Sequence, residues 1–117
     1  MTFQITERPL NEARMVLAPA GRLDAVTAPE LKQRLKALVA QGHEELVVDL
    51  SSVPFIDSSG LAALVSGLKA AREAGGTILL AGLSEQARTV FTVTLLDRVF
   101  DFYPDVDSAV GALKRDG

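Results

Sequence analysis

The sequence predicts an α/β fold, with a mixed, mostly parallel sheet of about four to five strands and helices packed around it. Two short apolar runs, residues 45–50 and 77–81, are bounded by turns and are typical of strands covered on both faces. Segments with helical apolar spacing lie between the strand candidates, which favours right-handed crossovers and parallel strands. A hairpin within residues 2–18 adds an antiparallel strand. The expected order is therefore β-β-α-β-α-β-α-β-α, in one domain of residues 1–117.

The first two strands are expected at residues 2–8 and 15–18. Residues 2–8 alternate polar and apolar side chains, as in a strand with one buried face, and residues 9–12 form a turn. Pro19 has no N–H for a sheet ladder. We therefore expect Pro19 at an edge or a bulge.

The first helix is expected to begin near Thr27, the N-cap candidate, with Pro29 in its first turn, where proline is tolerated. It should end at Gln41, with Gly42 as a left-handed cap. One apolar stripe is expected to face the core. Its members are Leu31, Leu35, Leu38 and Val39.

A second helix is expected from residue 58 to residue 74, where Gly75-Gly76 stops it. Its apolar stripe consists of Leu61, Leu64, Val65 and Leu68. Ser84 is the N-cap candidate of a third helix. Residues 99–103 are expected to form a short final strand, and Asp107-Ser108 starts the last helix.

Composition excludes several classes of function. The net charge is −3 and no Lys/Arg cluster exists, which argues against a nucleic-acid partner. The chain has no cysteine and one histidine, so we expect neither thiol catalysis nor a metal site. No phosphate-binding glycine motif is present, so no nucleotide cofactor is expected. No apolar segment approaches the ~18 residues of a membrane span and no signal peptide is visible, which predicts a cytoplasmic protein without a membrane partner.

The segment Asp57-Ser58-Ser59-Gly60 is the main candidate site. It follows an apolar strand and opens the second helix. The side chains can simply cap the helix, a contribution of roughly 1 kcal/mol. Alternatively, one serine can accept a phosphate near the positive end of the helix dipole. Asp57 would repel that phosphate unless its side chain turns away, so the residues alone leave both interpretations open.

A serine hydrolase is a weaker alternative for the same hydroxyls. The G-x-S-x-G pattern is absent, because Ile56 and Asp57 stand before Ser58. The single histidine, His43, lies in a polar loop that we expect to be solvated surface, and it would have to reach Ser58 across the domain. No catalytic residue is predicted.

Asp24 belongs to a second constellation, Gly21-Arg22-Leu23-Asp24. In isolation, Asp24 is best explained as a turn or capping residue. If the second and third strands are neighbours, however, their ends lie together. Asp24 would then be close to Ser58.

Residues 21–31 and 48–61 together resemble the STAS domain family, and more closely the bacterial anti-sigma factor antagonists. The resemblance implies that the unphosphorylated protein binds an anti-sigma factor that is also a serine/threonine kinase, and so frees a sigma factor. It implies phosphorylation at Ser58, which switches binding off, and a PP2C-type phosphatase that restores it. It implies no cofactor. The implied partner-binding residues are Asp24, Asp57, Ser58, Ser59 and Gly60.

The resemblance leaves one functional alternative and two departures. The alternative is a non-switching STAS subunit of a larger assembly, either a lipid-transport ATPase complex or a stress-signalling particle. The departures are that the family often has a glycine near Ser52, and another where this chain reads Thr94-Leu95-Leu96. In this interpretation Ser59 and the free N–H groups hold the helix start, while Ser58 carries the signal.

Overall fold

The computed structural model describes residues 2–116, and the side chains of residues 2–113. The strands are β1 (Gln4–Pro9), β2 (Arg14–Ala20), β3 (Glu45–Asp49), β4 (Thr77–Ala81) and β5 (Asp101–Tyr103). The helices are α1 (Ala28–Ala40), α2 (Ser58–Glu73), α3 (Glu85–Val93) and α4 (Val106–Asp116), with a short 3-10 helix at Leu96–Arg98. The predicted element order is confirmed, and the strands are β1 to β5 in chain order across one sheet.

The sheet is mixed because β1 runs antiparallel to β2, whereas β2, β3, β4 and β5 are parallel. Each right-handed crossover moves one strand further in the same direction, which places α1, α2 and α3 on one face. Helix α4 packs on the other face, against β3, β4 and β5. The carboxyl ends of the parallel strands therefore share one edge of the sheet, and the loops that follow β2 and β3 meet there.

Strand β3 is buried on both faces, as its apolar run predicts. Leu46 and Val48 belong to the larger core cluster under α1, α2 and α3, and Val47 belongs to the smaller cluster under α4. All three side chains are fully buried. This alternation follows from the two-residue period of a strand.

Pro19 lies at a local edge of the sheet, as expected, although the strand that carries it is not an edge strand. Strand β2 lies between β1 and β3. Its pairing with β3 covers only residues 14–17, and Pro19 pairs with Ile5 of β1 alone. The missing N–H therefore lies where β2 has a single partner, and it removes no bond to β3.

Helix α1 ends as predicted, and it also begins as predicted, with Thr27 at the N-cap position and Pro29 in its first turn. Gly42 has a left-handed φ of 99°, and His43 N donates to Leu38 O at 2.9 Å, which closes the helix end. Thr27 precedes the helix but makes no side-chain cap bond, because its backbone is already near-helical (φ −96°, ψ −25°). Its hydroxyl instead donates to Arg22 O at 2.8 Å and accepts from Asp24 N at 3.0 Å.

Helix α4 begins one residue before the predicted Asp107-Ser108 start. Asp105 accepts a hydrogen bond from Ser108 N at 2.8 Å and thus caps the helix. Hydrogen bonds from the backbone and the side chain of Ser108 lower the pKa of Asp105 from its ordinary value.

A strained residue lies just after the end of α3. Ser84 caps the start of the helix as predicted, through a bond from Ala87 N of 3.1 Å. At the other end Leu95 has φ 64° and ψ 13°, and it is 57% exposed. Glycine adopts this left-handed conformation without the Cβ clash that other residues suffer. Leu95 belongs to the segment Thr94-Leu95-Leu96, in which the family that the sequence resembles often has a glycine.

Replacing Leu95 with glycine is expected to raise the free energy of unfolding by about 0.5–1 kcal/mol. The gain is relief of the left-handed strain, reduced by the larger entropy of glycine in the unfolded chain. Urea denaturation measures it. Val93→Gly is the matched control, because Val93 is also exposed but lies inside α3, where glycine should be destabilising. Equal losses of stability in the two variants would contradict the prediction.

Candidate functional site

Two loops meet at the carboxyl edge of the sheet. Leu23, after β2, forms a parallel backbone bridge with Ile56, after β3. Leu23 N donates to Phe55 O at 2.9 Å, and Asp57 N donates to Leu23 O at 3.2 Å. Leu23 and Ile56 are both buried. The structure therefore brings the two predicted constellations together, and the next residues along the two loops are Asp24 and Asp57.

Asp57 is the N-cap of α2. Its Oδ1 accepts hydrogen bonds from Ser59 N at 2.9 Å and from Gly60 N at 3.3 Å. The extended backbone of Asp57 (φ −119°, ψ −171°) turns its carboxylate over these two N–H groups. The expectation that Ser59 holds the helix start was wrong. Ser59 is already inside the helix, and Asp57 accepts the hydrogen bonds from the free N–H groups of Ser59 and Gly60.

Ser58 is the first residue of α2, and its side chain is exposed to solvent. Within the part of the chain whose side chains are described, the Ser58 hydroxyl has no hydrogen-bond partner. The neighbouring Ser59 is half-buried. The two serines are thus unequal in accessibility, and Ser58 is the more exposed of the two.

Asp24 is held by its own turn. Its Oδ1 accepts from Val26 N at 3.0 Å and from Thr27 N at 3.3 Å. The side chain is 29% exposed, and its Oδ2 lies 4.0 Å from Arg22 Nε. Asp24 therefore acts as the turn residue expected in isolation, and it also keeps an accessible carboxylate beside the Asp57 loop.

Arg22 links the two loops, which sequence reasoning did not foresee. Its guanidinium carbon lies 4.1 Å from the centre of the Phe55 ring, within the range of a cation–π contact. The arginine is in the quoted motif, but its aromatic partner is more than thirty residues away. Only the parallel bridge between the loops places the two side chains together.

Gly60 is buried, and its missing side chain is a packing requirement. A Cβ at this position would lie 2.7 Å from Ile56 Cγ1, 2.8 Å from Leu23 Cγ and 2.8 Å from Leu23 O. Any larger residue would push the first turn of α2 away from the bridged loops. Gly60 is not exposed, but the absence of a side chain there sets the position of Ser58.

Gln86, in the first turn of α3, is a second residue that sequence reasoning missed. Its Oε1 accepts from Ile56 N at 3.0 Å, and its Nε2 donates to Ile56 O at 2.9 Å. The side-chain amide therefore satisfies both polar groups of one buried residue. A glutamine at the start of a helix carries no signal in a single sequence that would reveal this role.

The lone histidine is far from the candidate serines. His43 precedes the amino end of β3, and Ser58 follows its carboxyl end, so the length of the strand separates them. His43 is half-buried rather than solvated as expected, and its Nδ1 is buried without a hydrogen-bond partner among the described groups. The distance leaves no Ser-His pair for nucleophilic catalysis.

The described residues contain no group of three His, Cys, Asp or Glu side chains that could hold a metal ion. They also contain no helix with the length and apolar character needed to cross a membrane.

Comparison with known proteins identifies the family. The model of the STAS domain matches residues 2–109. The anti-sigma-B factor antagonist of Listeria monocytogenes is 30% identical over 101 residues, which is 86% of this chain and 87% of the relative. The chain belongs to the STAS domain family.

Solved structures have the same fold as this STAS domain. An anti-sigma factor antagonist from Mycobacterium paratuberculosis matches with a TM-score of 0.85 and 30% identity, covering 97% of this chain and 95% of that one. The antagonist SpoIIAA in its unphosphorylated form matches with a TM-score of 0.81 over 97% and 96% of the two chains. The phosphorylated form of this Bacillus protein matches with a TM-score of 0.73 over 96% and 99%. SpoIIAA is 18% identical in both cases, which shows the shared fold alone.

The STAS domain has a cleft of about 350 Å³ between the first turns of α1 and α2. Its walls are mostly small apolar side chains, with Lys32 and Ser59 as the polar members. A larger groove of about 820 Å³ lies on the other side of the Asp24 turn, and it is lined by Arg22, Asp24 and the 86% exposed Val26 among others. The loops around Ser58 therefore carry the Asp24 and Asp57 carboxylates beside the exposed apolar side chain of Val26.

Proposed function

We propose that this STAS domain is an anti-sigma factor antagonist that phosphorylation of Ser58 switches off. In the unphosphorylated state it binds an anti-sigma factor that is also a serine/threonine kinase, and this binding frees a sigma factor. A PP2C-type phosphatase returns the protein to the binding state. The observation that carries the proposal is the exposed Ser58 hydroxyl at the capped start of α2, in a loop bridged to the Asp24 turn.

Accessibility supports Ser58 as the acceptor. A kinase must bring the acceptor hydroxyl into its own active site, so the hydroxyl must protrude from the protein. Ser58 is exposed, whereas Ser59 is half-buried and lines the cleft between α1 and α2. We therefore assign the phosphate to Ser58 and a contact role to Ser59.

The charges around Ser58 explain how a phosphate would end binding. Asp57 already accepts from the N–H groups of Ser59 and Gly60, so a phosphate on Ser58 finds these donors occupied. The phosphate would remain at the surface and take the net charge from −3 to about −5. A partner face that accommodates Asp24 and Asp57 would then meet an additional dianion, and a like charge in a desolvated interface costs several kcal/mol.

The partner face in this proposal consists of Asp24, Asp57, Ser58 and Ser59, together with the exposed Val26. Gly60 contributes indirectly, because it is buried and allows the close approach of α2 to Leu23. The protein performs no catalysis of its own, needs no cofactor, binds no nucleic acid directly and acts in the cytoplasm. The position of His43 beyond the far end of β3 supports the absence of hydrolase chemistry.

The test is capture followed by reconstitution. The unphosphorylated protein is used as bait in extracts of its own cells, and the captured anti-sigma factor is identified, purified and incubated with the STAS domain and ATP. Mass spectrometry is expected to find one phosphate, on Ser58, and a purified PP2C-type phosphatase should remove it. Phosphate on another residue, or on none, would refute the assignment.

The same experiment distinguishes the alternative of a non-switching subunit. Recovery of a lipid-transport ATPase or of a large stress-signalling particle, with no kinase and no phosphate on Ser58, would favour that alternative. Reaction of Ser58 with serine-directed hydrolase probes would instead indicate an enzyme. Neither result is expected.

A further inference from the structure

Ile56 lies directly before the Asp57-Ser58 pair, and hydrogen bonds hold the chain at this residue from two opposite sides. On one side the parallel bridge uses the groups of its neighbours, Phe55 O and Asp57 N, to bind Leu23. Because residues alternate in a strand, the N–H and C=O of Ile56 itself point the opposite way. There they meet the side-chain amide of Gln86 at 3.0 and 2.9 Å.

We propose that Gln86 is a positioning residue for the loop that carries Asp57 and Ser58 into α2. Its side-chain amide bonds the backbone of Ile56, as a neighbouring strand would do in a sheet. The proposal rests on the proposed function of Ser58 and extends it to α3. Ile56 is 1% exposed, so without Gln86 its N–H and C=O would be buried and unpaired. The loop would have to move to satisfy them, and Asp57 and Ser58 would move with it.

The bonding of the amide fixes its orientation. The Ile56 N–H requires the oxygen of the amide, and the Ile56 C=O requires its NH₂ group, so Gln86 supplies one acceptor and one donor. Methionine has a similar length and shape but makes neither bond. Glutamate can accept from the N–H, but it can donate to the C=O only when its carboxyl is protonated.

The experiment compares amide hydrogen exchange in the wild-type protein, Gln86→Met and Gln86→Glu, all without partner. In Gln86→Met, exchange is expected to rise about tenfold or more at Ile56, and also at Asp57, Ser59 and Gly60. The amides of β3 and β4 should keep their protection. Gln86→Glu keeps an acceptor for the Ile56 N–H but leaves the Ile56 C=O unpaired at neutral pH, so exchange should rise less than in the methionine variant and fall again when the carboxyl is protonated. Gln33→Met, on the exposed surface of α1, is the matched control and should change none of these amides.

A second arm measures function with the purified kinase identified above. Gln86→Met should bind it about tenfold more weakly and be phosphorylated with a similarly lower kcat/KM. A rise in exchange confined to Ile56, an equal rise throughout the sheet, or unchanged phosphorylation would overturn the proposal. If the wild-type protein is itself not phosphorylated, the proposed function fails, and the exchange pattern alone then decides whether Gln86 positions the loop.

Discussion

Replacement of Ser58 by alanine is expected to abolish phosphorylation while leaving kinase binding within about twofold of the wild-type affinity. The substitution removes the acceptor oxygen but adds neither bulk nor charge at an exposed position. The helix start should persist, because Asp57 and not Ser58 supplies the cap. In cells, this variant would hold the anti-sigma factor constitutively.

Ser58→Asp provides the opposite result. A carboxylate next to Asp57 is expected to weaken binding to the kinase by at least about tenfold, because it places a like charge in the partner face. Gln41→Glu is the control for net charge, since it adds the same charge at the far end of α1 and should leave the affinity unchanged. Ser59→Ala tests the choice of serine and should still accept one phosphate. Isothermal titration and mass spectrometry measure these effects, and undiminished affinity of Ser58→Asp would rule out an electrostatic switch.

Gly60→Ala is expected to lower the free energy of unfolding by about 1–3 kcal/mol. The new methyl group would overlap Ile56 and both the side chain and the carbonyl oxygen of Leu23, at 2.7–2.8 Å. The carbonyl belongs to the backbone that bonds Asp57 N, so a rotamer change cannot relieve all of the overlap. The first turn of α2 must shift, and kinase binding should fall as well.

The matched control is Gly111→Ala in the middle of α4. A Cβ at Gly111 would meet nothing within 4 Å. Alanine has the higher helix propensity, so this variant should be more stable by about 0.5–1 kcal/mol. Urea denaturation should therefore give opposite signs for the same substitution in two helices. A stabilised Gly60→Ala protein would show that the approach of α2 to Leu23 is not tight.

Local patterns predicted the fold because each element carries its own signal. The run around Val47 is apolar on both faces, and the stripe of α1 repeats at helical spacing. Helix caps were also predictable from neighbouring residues, as the left-handed Gly42 and the capping Ser84 show. Pro19 was harder, because whether it removes a ladder bond depends on how far β3 extends beside β2.

The side-chain roles that were predicted wrongly or missed have one physical cause in common. Thr27 and Ser59 have side chains that cap helices elsewhere, but a competing aspartate or a different backbone angle decided their roles here. Arg22 and Gln86 act on residues thirty or more positions away, Phe55 and Ile56. No local pattern reports such a contact, because it exists only after the loops have been brought together.

By itself the sequence determined that this is an α/β chain with an Asp57-Ser58-Ser59-Gly60 helix start, and the pairing with the Asp24 segment predicted the STAS family. The tertiary structure alone decided that Asp57 is the cap, that Gly60 is a packing residue and that Gln86 pairs with the Ile56 backbone. The physical reason is that hydrophobic period and turn preference are properties of neighbouring residues. Which donor meets which acceptor is a property of the folded arrangement, where each buried polar group must find a partner.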